Sequence, residues 1–165
     1  MNLVDIVVNK ELIDKVKNLG FKEVLTIENN KIVIPDDANK FGIDICDNGD
    51  FLTCINKRNF IAITDLDKFN FRLTKGMCSK MKENNIFVIF KFKNILTSED
   101  IFSTYKNFLV NAKLCNDFSV PSIFASFADS EDFIISPFQL VSFARQFGYN
   151  YTNMLKSSDK LLSMV

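Results

Sequence analysis

Residues 86–126 read IFVIFKFKNILTSEDIFSTYKNFLVNAKLCNDFSVPSIFAS, and this stretch decides the fold class. It opens with a nearly continuous apolar run over 86–92, the pattern of a strand covered on both faces. Ser98-Glu99-Asp100 then opens a long helix that reaches about Asn116. Ser98 caps it and two acids favour the positive end of its dipole. Residues 120–126 give a second β-rich apolar run. Strand, helix, strand with short connections predicts a parallel pair joined by a crossover helix.

The same alternation extends in both directions. Upstream, residues 71–84 carry Leu73, Met77 and Met81 at helical spacing. Downstream, Ser136-Pro137 is a helix start with Ser at the N-cap and Pro in the first position. That helix runs to Phe147 and stops at Gly148. Helical pieces follow over 150–156 and 158–164. In the N-terminal half, residues 3–8 read as a strand. Residues 10–19 form a helix ended by Gly20. Strands follow over 21–27, 31–34, 41–46 and 59–64, with a turn at 47–50 and a helical turn over 51–56. Six or seven strands with interleaved helices make an α/β domain. A full eight-unit barrel takes about 250 residues, so these 165 residues predict a compact or incomplete TIM-like (β/α) barrel, one domain over 1–165.

Composition narrows the chemistry. The chain has 47 % hydrophobic residues, 18 Phe, no Trp and no His, with a formal net charge of +0. Absence of His removes the usual Ser-His and Cys-His dyads and most zinc ligand sets. The five glycines fall in none of the phosphate-loop spacings. Cys46, Cys54, Cys78 and Cys115 form no Cys-x-x-Cys clip and read as four reduced, mostly buried thiols of an intracellular protein. No signal peptide and no membrane span is expected. The acidic groups at Asp36-Asp37, Asp47/Asp50, Asp65/Asp67, Glu99-Asp100 and Asp129/Glu131/Asp132 sit at element ends and read as turn and cap residues.

Charge is unevenly placed. Between residues 71 and 113 the bases are Arg72, Lys75, Lys80, Lys82, Lys91, Lys93, Lys106 and Lys113, against the acids Glu83, Glu99 and Asp100. Lys91 and Lys93 alternate with Phe90 and Phe92 near a strand end, so both could point the same way. This stretch is the expected RNA-facing surface, with Arg58 as a further candidate. Phe87, Phe90, Phe124 and Phe143 have core spacing.

Several segments, in order, resemble the thirty-kilodalton protein subunit of ribonuclease P, the archaeal protein component 3 family. Asp5-Ile6-Val7-Val8 and Leu19-Gly20-Phe21 are similar to its opening. Arg58-Asn59-Phe60-Ile61 is similar to its central strand entry. Phe69-Asn70-Phe71 and Glu83-Asn84-Asn85-Ile86 resemble the helix start and the approach to the apolar strand. Val120-Pro121 through Ser126-Phe127-Ala128 resembles a Val-Pro strand ending in Ser-Gly-Ala. Ser136-Pro137, ending at Phe147-Gly148, resembles an Arg-Ser-Pro-Arg helix. The chain departs from the pattern at Phe127, where the family has Gly, at Ile135 and Phe138, where it has Arg, and at Ala62. Ser126, Ala128, Ser136 and Pro137 are the motif positions kept.

The resemblance implies a barrel of the polymerase and histidinol phosphatase-like type without its metal site. It implies a non-catalytic subunit of ribonuclease P, or of the related ribonuclease MRP, supporting the catalytic RNA in 5′ maturation of precursor tRNA. No cofactor is expected on the chain, with Mg²⁺ on the RNA. The expected partners are the ribonuclease P RNA, precursor tRNA and a small α/β subunit, with no membrane. Location would be nuclear or nucleolar in a eukaryote, which the Asn- and Phe-rich bias favours, and cytoplasmic in an archaeon. The alternatives are a barrel-derived protein-interaction scaffold without RNA contact and a metal-dependent phosphoesterase.

Overall fold

The computed structural model describes residues 3–35, 42–46, 51–56, 61–64 and 71–165. The turn expected at 47–50 and the candidate Arg58 lie outside them. Seven strands run in sequence order around one sheet: β1 (Val4–Val7), β2 (Glu23–Glu28), β3 (Lys31–Val33), β4 (Ile43–Cys46), β5 (Ile61–Ile63), β6 (Phe87–Lys91) and β7 (Ser122–Ala125). β1–β2 and β4 through β7 pair in parallel. β2–β3–β4 is an antiparallel meander, so the sheet is mixed where the sequence predicted parallel units. The two-residue turn Asn29-Asn30 explains the reversal: both residues have positive φ, 47° and 60°, which Asn tolerates in tight hairpins.

The helices are α1 (Ile13–Lys17), preceded by a 3₁₀ turn at Lys10–Leu12, α2 (Phe51–Cys54), α3 (Lys75–Glu83), α4 (Phe92–Leu96), α5 (Ile101–Asp117), α6 (Pro137–Arg145) and α7 (Tyr151–Leu162). α3 begins four residues later than the spacing predicts, because Thr74 in extended conformation caps it through the Met77 amide. The apolar run from Ile86 stops as a strand at Lys91, and Phe92 opens the short α4. The two C-terminal helical pieces are one helix, capped by Asn150. Gly20 (φ 100°) and Gly148 (φ 86°) end their helices as expected.

Alternation divides the core into two layers. Val4, Ile6, Leu25, Ile32, Ile43, Ala62, Phe87, Ile89, Ile123 and Ala125 fill the barrel interior. Their registers coincide, as at Ile6↔Leu25, Ile32↔Ile43, Ala62↔Phe87 and Ile89↔Ile123. Leu161, with Leu162, Met164 and Val165, packs on this cluster. The Lys160 ammonium lies over the Phe87 ring and bonds Asn85, so α7 closes the end of the barrel where the parallel strands begin. The opposite strand faces meet the helices. There Phe90, Phe108, Phe124, Phe143, Phe147 and Tyr149 form one aromatic layer, with Phe90–Phe108 centroids 4.9 Å apart and Phe124–Tyr149 4.8 Å.

The barrel closes between β1 and β7, just past the end of β7. The Phe127 amide donates to Ile6 O (2.9 Å) and the Val8 amide to Ala128 O (2.9 Å). Between them the buried Asp5 carboxylate accepts from the Ser126 amide (2.7 Å) and the Ser126 hydroxyl (2.6 Å). Phe127 holds φ 54°, a left-handed conformation that is strained for a bulky residue. Glycine would hold this conformation without strain.

One cysteine expectation is overturned. Cys46, at the end of β4, and Cys54, on α2, form a disulfide. The bond ties α2 to the end of β4, a proximity that a spacing of eight residues does not announce. Cys78 and Cys115 remain free and buried. Burial pushes the Cys115 thiol well above its ordinary value, which keeps it protonated and unreactive.

Two predictions follow from these clasps. Burial raises the Asp5 pKa from 3.8 to about 6, against the Ser126 hydrogen bonds that lower it. The folded chain therefore holds this proton more tightly than the unfolded one, and stability falls as pH rises from about 4 through 6. Asp5→Asn removes the titration. Its stability relative to the natural chain should rise by about 3 kcal/mol between pH 4 and pH 7 in urea unfolding, while Asp5→Leu, which strands both Ser126 donors, should lose about 3 kcal/mol at pH 5. A difference independent of pH would refute the buried-carboxylate account. For the cysteines, thiol titration of the unreduced, denatured chain should find two reactive groups of four, and Cys54→Ser should lower stability by about 2 kcal/mol through loss of the loop constraint.

Candidate nucleic-acid interface

Where parallel strands end, a barrel presents its loops and side chains to solvent. Here the ends of β6, β7 and β1 converge on an open groove of about 330 Å³. Lys91, Lys93, Thr97, Ser98, Thr104 and Phe127 line it. Lys91 shares the interior parity of Phe87 and Ile89, so it rises from the barrel axis. Its ammonium lies 4.7 Å from the centroid of the Phe127 ring. Lys93 stands on the first turn of α4, whose amide bonds Ser126 O (3.2 Å). Its ammonium lies 5.0 Å from the centroid of the Phe133 ring and is paired with Asp129. That hydrogen bond holds the Asp129 carboxyl below its usual value. The Ser98 and Thr104 hydroxyls are bonded to each other at 2.6 Å.

Lys91 and Lys93 thus do face one groove, although a strand end and a helix start place them there rather than strand alternation. The other sequence-predicted bases do not join them. Arg72 precedes α3 beside the mid-point of α5, since Asn111 bonds Leu73 N and Phe71 O on either side of it. Lys75 is exposed on the first turn of α3, and Lys80 and Lys82 on its last. Lys80 bonds Asn56. Lys106 and Lys113 lie on the outer stripe of α5 with Phe102, which is 87 % exposed, and Leu109. The basic excess is therefore spread over three surfaces. Asn94, Thr97 and Thr104 were not legible as groove residues, because nothing in the spacing announces α4.

The motif positions prove structural. Ser126 holds Asp5, and Ala128 bridges to Val7. Ser136 and Gln139 form a capping box: the Ser136 hydroxyl accepts from the Gln139 amide (3.3 Å) and Gln139 Oε1 from the Ser136 amide (2.8 Å). Beside them Ile135 is buried and Phe138 is 70 % exposed. In the acidic clusters, Asp100 caps α5 in place of the expected Ser98: its carboxylate accepts from the Ser103 amide (3.0 Å), while the Ser98 hydroxyl bonds Thr104. Asp129 and Glu131 form ion pairs with Lys93 and Lys15. Asp36-Asp37, Asp47/Asp50 and Asp65/Asp67 lie outside the described residues. Among the described residues no three Cys, Asp or Glu side chains are grouped to hold a metal ion, and no helix is long and apolar enough to cross a membrane.

Against known proteins, no family model matches the sequence, and no curated protein matches it. Among solved structures, a chain in the cryo-EM structure of archaeal ribonuclease P with mature tRNA superposes with a TM-score of 0.69. The match covers 97 % of this chain and 80 % of that one, at 14 % identity. The chain has the fold of a protein from archaeal ribonuclease P. At that identity the likeness shows the fold and not the surface.

Ser136→Ala removes the cap from α6. It should lower stability by about 1 kcal/mol in thermal or urea unfolding, and leave any RNA affinity unchanged once the chain is folded. A drop in RNA affinity at equal folding would give this helix start a binding role.

Proposed function

We propose that this protein is a non-catalytic subunit of ribonuclease P, supporting the RNA that matures the 5′ end of precursor tRNA. The observation that carries the reading is the barrel itself, matched over 97 % of the chain by a protein of archaeal ribonuclease P. It agrees with the independent resemblance of the Val120–Ala128 and Ser136–Gly148 segments to the thirty-kilodalton subunit of that complex. In this reading Mg²⁺ rides on the RNA, and hydrolysis belongs to the RNA. The chain contributes a rigid basic surface and a partner face for a small α/β subunit. Membership in the related ribonuclease MRP is part of the same proposal, as is a nuclear or nucleolar location in a eukaryote and a cytoplasmic one in an archaeon.

Zero net charge bears on how the RNA would be held. Long-range attraction scales with the excess of positive charge, so a neutral chain adds little to encounter and relies on being docked in the assembly. Affinity purification of the chain from its own cells should recover an RNA that cleaves precursor tRNA at the 5′ end when Mg²⁺ is supplied. Depletion of the chain should raise unprocessed precursors several-fold on a northern blot. Recovery of protein partners alone, with precursor processing intact on depletion, would replace this reading with that of a protein scaffold.

A further inference from the structure

We infer that the outer stripe of α5 is a docking surface for an acidic, amphipathic helix of a partner protein. The inference deepens the proposed function and rests on it for the assembly that supplies the partner. Phe102, Lys106, Leu109 and Lys113 make the stripe, and all four are exposed. Phe102 and Leu109 are seven residues apart, and so are Lys106 and Lys113. Two turns of helix separate the members of each pair. The apolar side chains therefore fall in one row and the ammonium groups in a second row beside it. This is one half of a coiled-coil seam, with apolar knobs at one heptad position and charges at a flanking one. The other faces of α5 are taken. Phe108, Ala112 and Cys115 belong to the core, and Tyr105 turns to Gln146 and Phe147 at the end of α6.

Two observations say what covers this face. The first is apolar exposure. Leu96 on α4 and Ile101, Phe102 and Leu109 on α5 are half of the large hydrophobic side chains left exposed among the described residues, and Phe102 is the most exposed of them. Their concentration on two consecutive helices marks an interaction surface. The second is charge. Neither Lys106 nor Lys113 pairs with an acid among the described residues. The acids of this stretch stand at its ends: Glu99 and Asp100 precede α5, where the Ser103 amide holds Asp100, and Asp117 is its last residue. The middle of the face is therefore purely cationic, and its complement is a row of Asp or Glu. RNA fits it less well. Phosphates would meet the lysines and leave the apolar row in water. A base stacks on a ring but not on Leu109, and Phe102 is the one exposed ring of α5.

The test uses the purified full chain and a fluorescein-labelled synthetic helix of three heptads, with leucine at positions a and d and glutamate at e and g, read by fluorescence anisotropy. Phe102→Ser should weaken binding about tenfold, and Lys106→Gln with Lys113→Gln about fivefold. Lys82→Gln with Lys156→Gln, the same change of charge on α3 and α7, should leave it unchanged. Lys106→Glu with Lys113→Glu should lose the glutamate helix and gain its lysine counterpart. Circular dichroism melts verify that each variant is folded. A second arm treats the assembly purified through the tagged chain with a water-soluble carbodiimide, which joins an amine to a carboxylate in contact with it. Mass spectrometry should find Lys106 and Lys113 linked to Asp or Glu of another protein, at helical spacing. Equal affinity in all stripe variants would overturn the inference. So would links only to a second copy of this chain, or decauridylate that competes with the glutamate helix and responds to the same variants. Recovery of precursor-cleaving RNA with both lysines unlinked would refute the surface and spare the proposed function. Linked lysines without that RNA would do the reverse.

Discussion

A seven-stranded sheet has two edges unless something joins them, and here the join is a buried carboxylate. Asp5 on β1 takes the amide and hydroxyl of Ser126, just past β7, and main-chain bonds from Phe127 and Val8 lie next to it. Among the described residues it is the one fully buried Asp or Glu. Burying a carboxylate is costly, and its raised pKa records that cost. The return is closure: no exposed strand edge remains at the seam, and the interior faces of all seven strands share one apolar core. Phe127 takes its positive φ within this seam, where its amide donates to Ile6 O and Ala128 bridges in parallel to Val7.

Closure decides which end of the barrel is left for function. At the end where the parallel strands begin, α7 lays Leu161 and its neighbours against the interior cluster, and Lys22–Asp159 and Lys160–Asn85 tie it down. At the other end the interior row terminates in Val8, Lys91 and Phe127. A row that is apolar for its whole length and then ends in a lysine places a cation on the barrel axis, and α4, starting at the next residue, brings the second one alongside. The two lysines stand at the mouth because of where β6 stops.

Much of this was legible from residue patterns. The βαβ order over 86–126, the cap of α6, the terminating glycines and a count of six or seven strands all follow from periodicity and local side-chain bonding, and the structure reproduces them. What escaped was set by contacts distant in sequence or by conformations that several residue types adopt. The Cys46–Cys54 disulfide depends on where the fold sets α2 against the end of β4, which residue spacing alone does not fix. The antiparallel β3 depends on two asparagines adopting left-handed φ. The strand over 86–92 breaks at Lys91 although Phe92 continues the apolar pattern, and the Lys93 amide there bonds Ser126 O, just past β7. Of the site, the pair Lys91 and Lys93 was visible, whereas the three hydroxyls were not: they reach the groove only through α4 and the start of α5.

Zero net charge conceals a division of the molecule. Lys10–Glu28, Lys15–Glu131, Lys17–Glu23, Lys22–Asp159 and Lys31–Asp44 neutralise the N-terminal half and its neighbours. Such exposed pairs add little to stability, but they cancel field. Arg72, Lys75, Lys82, Lys106 and Lys113 pair with no acid among the described residues. These unpaired cations stand at α3 and α5, while the lysines of α1 and β3 are paired. At physiological salt, charges are felt over roughly 8 Å, so a charged group near one surface responds to the side chains beside it and not to the sum over the chain. A chain with no net charge can therefore still present unpaired cations at α3 and α5 while the lysines of α1 and β3 are held in ion pairs.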